Sequence, residues 1–204
     1  MFGDRVYILI SENGIDVQMF VLCKPAKMER LTMQKQVAYE EAIKRKYPEP
    51  VAYAIAKNQD GNANPITLGW VMCTSHHPPM LAISVAFQRY SYNAIRHSKC
   101  FTVVFPNEKQ ADEALYFGTK SGRDTDKLAE FGTKTDPAVK IDSVLLQEAV
   151  ANFECVLEGE MVTGDHTIFS GRVVASHINA EQAGRLYTLG PGWEMGGVRP
   201  VPKP

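Results

Sequence analysis

The sequence predicts a mainly β fold: an antiparallel Greek-key barrel, closed or split, with short helical insertions. Apolar runs of strand length are separated by turn chemistry. The segments Asn58-Gln59-Asp60-Gly61-Asn62 and Val162-Thr163-Gly164-Asp165 are rich in residues that tolerate positive φ or bond their own backbone, so hairpins are expected there. Helical patterns between the strands are too short and too few for alternating β and α units. Closing the sheet then removes the unprotected edges.

In order along the chain, residues 1–32 stand apart as an N-terminal extension. There, Val6-Tyr7-Ile8-Leu9-Ile10 and Val17-Gln18-Met19-Phe20-Val21 flank Glu12-Asn13-Gly14, which reads either as a hairpin or as a dispensable segment before a start at Met28 or Met33. Residues 33–204 form the main domain and its C-terminal arm. A short amphipathic helix is expected over 33–45, stopped by Tyr47-Pro48-Glu49-Pro50. Strands are expected at 51–57, 66–75, 80–87, 101–105, 145–162 (two, or one long and bent) and 166–179. Helical insertions are expected at 92–99, 108–117 and 125–131, the last with Asp124 as N-cap and Gly132 as its stop. The tail from Gly190 through Gly197 reads as an extended arm.

Composition excludes several classes. A net charge of −1 supplies no global field for nucleic acid or an anionic membrane. The 4 cysteines show no C-x-x-C pair and mostly lie in apolar runs, which favours reduced core thiols in a cytoplasmic protein. Glu12 and Asp16 interrupt the first apolar run, a poor signal peptide. No stretch approaches the ~20 apolar residues of a membrane span. Zinc spacings, a phosphate-binding Walker loop, G-x-G-x-x-G and Gly-x-Ser-x-Gly are all absent, so no metal is expected and neither a Rossmann site nor a hydrolase nucleophile is visible.

Several segments could carry chemistry. From Asn64 to Met80 a strand containing Thr67, Leu68 and Trp70 leads into Ser75-His76-His77-Pro78-Pro79 and then a strand containing Ser84 and Val85. The prolines cannot donate to a ladder, which frees the preceding loop for a ligand, although periodicity alone favours an ordinary hairpin with a buried tryptophan. In Arg89-Tyr90-Ser91-Tyr92-Asn93-Ala94-Ile95 a helix begins near Ser91. Its free N–H groups and Arg89 suit a phosphate; the plainer reading is a capping serine beside a solvated arginine. The loop Gly118-Thr119-Lys120-Ser121-Gly122-Arg123-Asp124 feeds a helix that carries Lys127, which opposes the helix dipole there and so favours a role toward a ligand. His166 follows a tight turn, either as a surface histidine or as a ligand contact.

Taken in order, these segments resemble the flavin reductase-like family of FMN-binding split barrels that includes flavoredoxin. The likeness runs roughly from Pro50 to Ala180, with a weaker match through Arg185-Leu186-Tyr187-Thr188-Leu189-Gly190. It implies FMN held non-covalently at a homodimer interface, with Asn64, Trp70, Ser91, Lys127 and His166 as contacts and Thr67, Leu68, Ser84, Val85, Arg89 and Tyr92 lining the same site. Ser91 stands where the family often has threonine. By the same resemblance, NADH or NADPH would stack on the flavin as a transient electron donor, and electrons would pass to an acceptor not identified by the sequence. The function implied is an NAD(P)H-dependent flavin reductase or flavoredoxin-like electron-transfer protein. The alternative is a protein that holds FMN without efficient nicotinamide turnover.

Overall fold

The computed structural model describes residues 33–200; the hairpin or extension expected over 1–32 lies outside the described residues. From Glu40 onward the described residues form a compact unit. Its elements are α1 (Tyr39–Ala42), a 3₁₀ turn (Ile43–Arg45), β1 (Glu49–Pro50), β2 (Ala52–Lys57), β3 (Ala63–Leu68), β4 (Val71–His76), β5 (Pro79–Ala86), α2 (Tyr90–Ser98), β6 (Cys100–Phe105), α3 (Ala111–Thr119), α4 (Lys127–Phe131), β7 (Thr135–Pro137), β8 (Val144–Leu146), β9 (Ala151–Thr163), β10 (His166–Ile178), β11 (Tyr187–Gly190) and β12 (Glu194–Gly196).

A 7-stranded sheet in the order β3-β2-β6-β9-β10-β5-β4 dominates. Every neighbouring pair in it is antiparallel. One core gathers Ala54, Ala56, Ile83, Val85, Phe101, Val103, Cys155 and Phe169, with Ile66, Leu68 and Val71 packed against it. Both edge strands therefore feed the same interior as the central ones, the signature of a sheet rolled on itself. Helix α2 adds Ala94 and Ile95 to that interior.

Strand β2 reads Ala-Tyr-Ala-Ile-Ala and is buried on both faces. Ala54 and Ala56 line the crowded interior, whereas Tyr53 and Ile55 join an outer core with Val104, Ala114, Phe117 and Leu146. Tyr53 meets Phe117 edge to face at 5.3 Å, which seats α3 on the outside of the sheet. A second anchor is Glu154, which is fully buried and accepts hydrogen bonds from the N–H groups of Val139, Lys140 and Ile141 at 2.9, 2.6 and 3.1 Å and pairs with His177 Nε2 at 2.7 Å. Burial alone would raise its pKa, but these bonds outweigh it and hold the carboxyl below the usual range.

Several expectations are corrected. The stretch expected as one strand over 66–75 is two, broken at Gly69-Trp70, where the Trp70 carbonyl accepts from Ser84 N at 3.0 Å and so keeps contact with β5 across the break. The stretch 145–162, by contrast, is two strands, one of the two readings expected. The helix expected over 33–45 shrinks to α1 and its 3₁₀ turn. Asp126, not Asp124, caps α4, accepting from Leu128 and Ala129 N–H at 3.1 Å each, while Gly132 ends it as expected with φ 80°. The C-terminal arm is partly folded: β11 and β12 pair with each other, and β11 pairs with β1. Cys100 and Cys155 are buried thiols, but Cys73 is exposed. Among the described residues no helix is long and apolar enough to cross a membrane, and no cluster could hold a metal ion.

Candidate functional site

Helix α2 enters the site with an unprotected N-terminus. Its N-cap position is Arg89, whose side chain makes no capping bond; the Arg89 carbonyl accepts from Tyr92 N–H at 3.0 Å, so the amides ahead of Tyr92 have no side-chain cap and the dipole keeps its positive end. Ser91 lies one residue inside the helix rather than at the cap, 3% exposed, and its Oγ accepts from Asn64 Nδ2 at 2.7 Å. Asn64 Oδ1 is buried without a partner. Gly122 lies so close that a Cβ there would collide with that oxygen, so only glycine lets the loop cross Asn64.

Lys127 opens α4 and is 3% exposed. Its Nζ donates to the carbonyls of Pro65 and, at 3.2 Å, Phe117. Burial, then the nearby Arg89 charge, lower its pKa to about 8. Among the described residues none of Arg89, Lys120, Arg123 and Lys127 joins an ion pair. Together with Ser91 and Gly122 they line one pocket of about 150 Å³ that no carboxylate enters. Lys120 acts on Glu130 and Arg123 borders a neighbouring cavity with Asp60, Asp124 and Asp126, so Arg89 and Lys127 form the pair without a countercharge, costly unless a bound anion completes it.

A separate apolar groove of about 310 Å³ is bordered by Glu49, Pro50, Trp70, Met72, Ser84 and Ile168. Trp70 is 46% exposed, and its ring lies 4.8 Å from that of His166. His166 Nδ1 in turn approaches Asp165 Oδ1 at 2.6 Å. A larger cavity of about 430 Å³ beside α2 contains Arg96, but that guanidinium is committed to Glu160 at 3.0 Å.

The expected site residues thus divide. Asn64, Arg89, Ser91 and Lys127 converge on the cationic pocket, and Trp70, Ser84 and His166 on the groove or its margin. The remaining side chains are engaged elsewhere. Thr67 Oγ1 donates to the Ala114 carbonyl at 2.7 Å, Leu68 and Val85 pack into the core, and Tyr92 stacks edge to face with Phe87 and Phe169 at 5.5 Å each. Gly122, Lys120 and Arg123 were not singled out individually. The small-residue loop that carries them was the available signal.

The antiparallel barrel thus carries a cationic pocket at a helix N-terminus and, apart from it, an exposed aromatic groove. The chain belongs to the flavin reductase-like domain family, whose sequence model matches residues 44–190. It is 29% identical over 123 residues to an uncharacterised protein of Pyrococcus abyssi, covering 60% of this chain and 70% of that one. It is 28% identical over 142 residues to the actinorhodin polyketide dimerase of Streptomyces coelicolor, covering 69% and 76%. Among solved structures, flavoredoxin from Methanosarcina acetivorans superposes with a TM-score of 0.74 at 21% identity, covering 85% of this chain and 95% of that one. An NADH:FAD oxidoreductase of Streptomyces globisporus C-1027 superposes with a TM-score of 0.69 at 19% identity, covering 82% and 99%.

Proposed function

We propose that this protein is a homodimeric flavin oxidoreductase that holds FMN and takes electrons from NADH or NADPH. The observation that carries the reading is the buried Lys127 ammonium beside Arg89 with no carboxylate to neutralise either. A dianionic phosphate supplies the missing charge, and the uncapped amides at the very start of α2 add donors. Fit is further supported by the unpartnered Asn64 Oδ1, which can accept from a ligand hydroxyl once the adjoining loop gives way.

The flavin, when bound, supplies the redox chemistry. The chain's own residues bind and orient. Arg89, Ser91 and Lys127 take the phosphate end; Trp70, His166 and Ser84 offer the apolar groove to the ring. Homodimerisation is favoured by a row of outward apolar side chains across neighbouring strands, where Met161 pairs in register with Ile168 and Ile168 with Ser84, beside Trp70 and Met72. Met161 and Met72 are 57% and 53% exposed, an apolar face larger than solitary surface residues would make.

The test is the visible spectrum of the purified protein, before and after anaerobic NADH or NADPH. The expected result is about one FMN per chain, bleached by either nucleotide with less than about tenfold preference, because no dinucleotide motif discriminates them. Colourless protein that ignores added FMN overturns the reading. A flavin reduced by dithionite but by neither nucleotide would leave a carrier in place of the reductase.

A further inference from the structure

Two locally unfavourable residues meet at one contact. Gly118 is the penultimate residue of α3, where glycine weakens a helix. Trp193, in the turn between β11 and β12, has φ 66°, a left-handed conformation that bulky side chains rarely enter. A Cβ on Gly118 would stand 2.8 Å from Trp193 Cζ3 and overlap Cη2, so the indole edge occupies the space that any other residue 118 would fill. Hiding the ring from water does not account for the arrangement, because Trp193 stays 44% exposed. Rules broken together at one place mark a position kept for something other than stability.

What Gly118 adjoins identifies the purpose. On one side is Phe117, whose carbonyl holds Lys127 Nζ at 3.2 Å. On the other is the loop that brings Lys120, Gly122 and Arg123 to the cationic pocket. Trp193 itself does not line that pocket.

We propose that Trp193 is a positioning residue for phosphate recognition: its ring, seated on Gly118, fixes the C-terminal end of α3, and with it the Phe117 carbonyl and the Lys120–Arg123 groups that an anion meets. The identity of the anion as the FMN phosphate rests on the function proposed above; the bracing of the pocket does not.

The experiment compares full-length Trp193→Ala, Trp193→Phe and Gly118→Ala with the wild type. Amide exchange across residues 118–123 is measured without ligand, and affinities are measured for inorganic phosphate, FMN and riboflavin. In Trp193→Ala and Gly118→Ala, exchange should quicken about tenfold while the melting temperature holds, because the opening is local. Phosphate and FMN should bind about tenfold more weakly and riboflavin unchanged, a difference of about 1.4 kcal/mol confined to the phosphate. Trp193→Phe should restore most of both effects. Unchanged exchange, equal loss of FMN and riboflavin, failure of phenylalanine to rescue, or global unfolding of Trp193→Ala would each overturn the proposal. If the wild type binds neither flavin, the functional reading falls, and the exchange and phosphate results still decide the role of Trp193.

Discussion

Lys127 is buried with a like charge for company, and the cost of that arrangement can be worked out. Its pKa falls from 10.5 to about 8. At about 1.4 kcal/mol per pH unit, keeping it charged costs the ligand-free fold about 3 kcal/mol. Between pH 8 and 10.5 the unfolded chain binds more protons at this residue than the folded one does, so its contribution makes stability rise with pH across that window. Below pH 8 the whole penalty is present. Lys127→Met removes the penalty but strands the Pro65 and Phe117 carbonyls, at about 1 kcal/mol each. The ligand-free variant should therefore melt close to the wild type at neutral pH and lack the climb in alkali. Its FMN affinity should drop about 10- to 150-fold, or ~1.5–3 kcal/mol, with riboflavin unaffected because it lacks the phosphate. Flavin-fluorescence titrations and melts across the alkaline range measure both effects. Equal weakening of the two flavins, or a variant that keeps the wild-type alkaline slope, would refute the assignment of Lys127 to the phosphate.

His166→Ala should weaken FMN and riboflavin alike, by about fivefold, since it removes an aromatic neighbour of Trp70 and no phosphate contact; a loss confined to FMN would contradict this in the same titration. Glu154→Gln should cost about 3 kcal/mol in urea unfolding, because an amide cannot accept from Val139, Lys140, Ile141 and His177 together without turning a donor toward one of them. The gap between this variant and the wild type should be full above the ordinary carboxylate range, begin to narrow within it as the unfolded carboxyl takes up its proton, and finish closing in stronger acid where the folded carboxyl protonates.

The strands of the barrel were legible because apolar runs bounded by turn residues leave little choice of element. The cationic pocket was legible through the order of its segments, since Asn64, Ser91 and Lys127 are far apart in sequence and nothing in their spacing brings them together. The cap of α4 was misassigned because Asp124 and Asp126 are equally good caps locally. Tertiary packing decides between them, since starting the helix at Lys127 carries that side chain into the interior. The folded part of the C-terminal arm was invisible for a related reason: the partner of β11 is Glu49–Pro50, at the opposite end of the domain, and local pattern carries no information about so distant a pairing. Trp193 could not be anticipated at all, because its backbone conformation contradicts its residue type.

The small sheet of β1, β11 and β12 has a consequence for the order in which the protein acquires its abilities. All strands of the barrel have been made once Ile178 is in place. The groove wall at Glu49–Pro50 gains its partner strand only from Tyr187–Gly190, and Gly118 meets its indole only when Trp193 arrives. During synthesis, which proceeds from the N-terminus, the chain can gather the inner core of Ala54, Ile83, Phe101 and Phe169 before the parts that steady the proposed site exist. Under the function proposed above, tight capture of FMN then becomes a late event, and a polypeptide interrupted after β10 would keep the inner core but lack both the fully buried Leu186 of the outer one and the parts that steady the ligand.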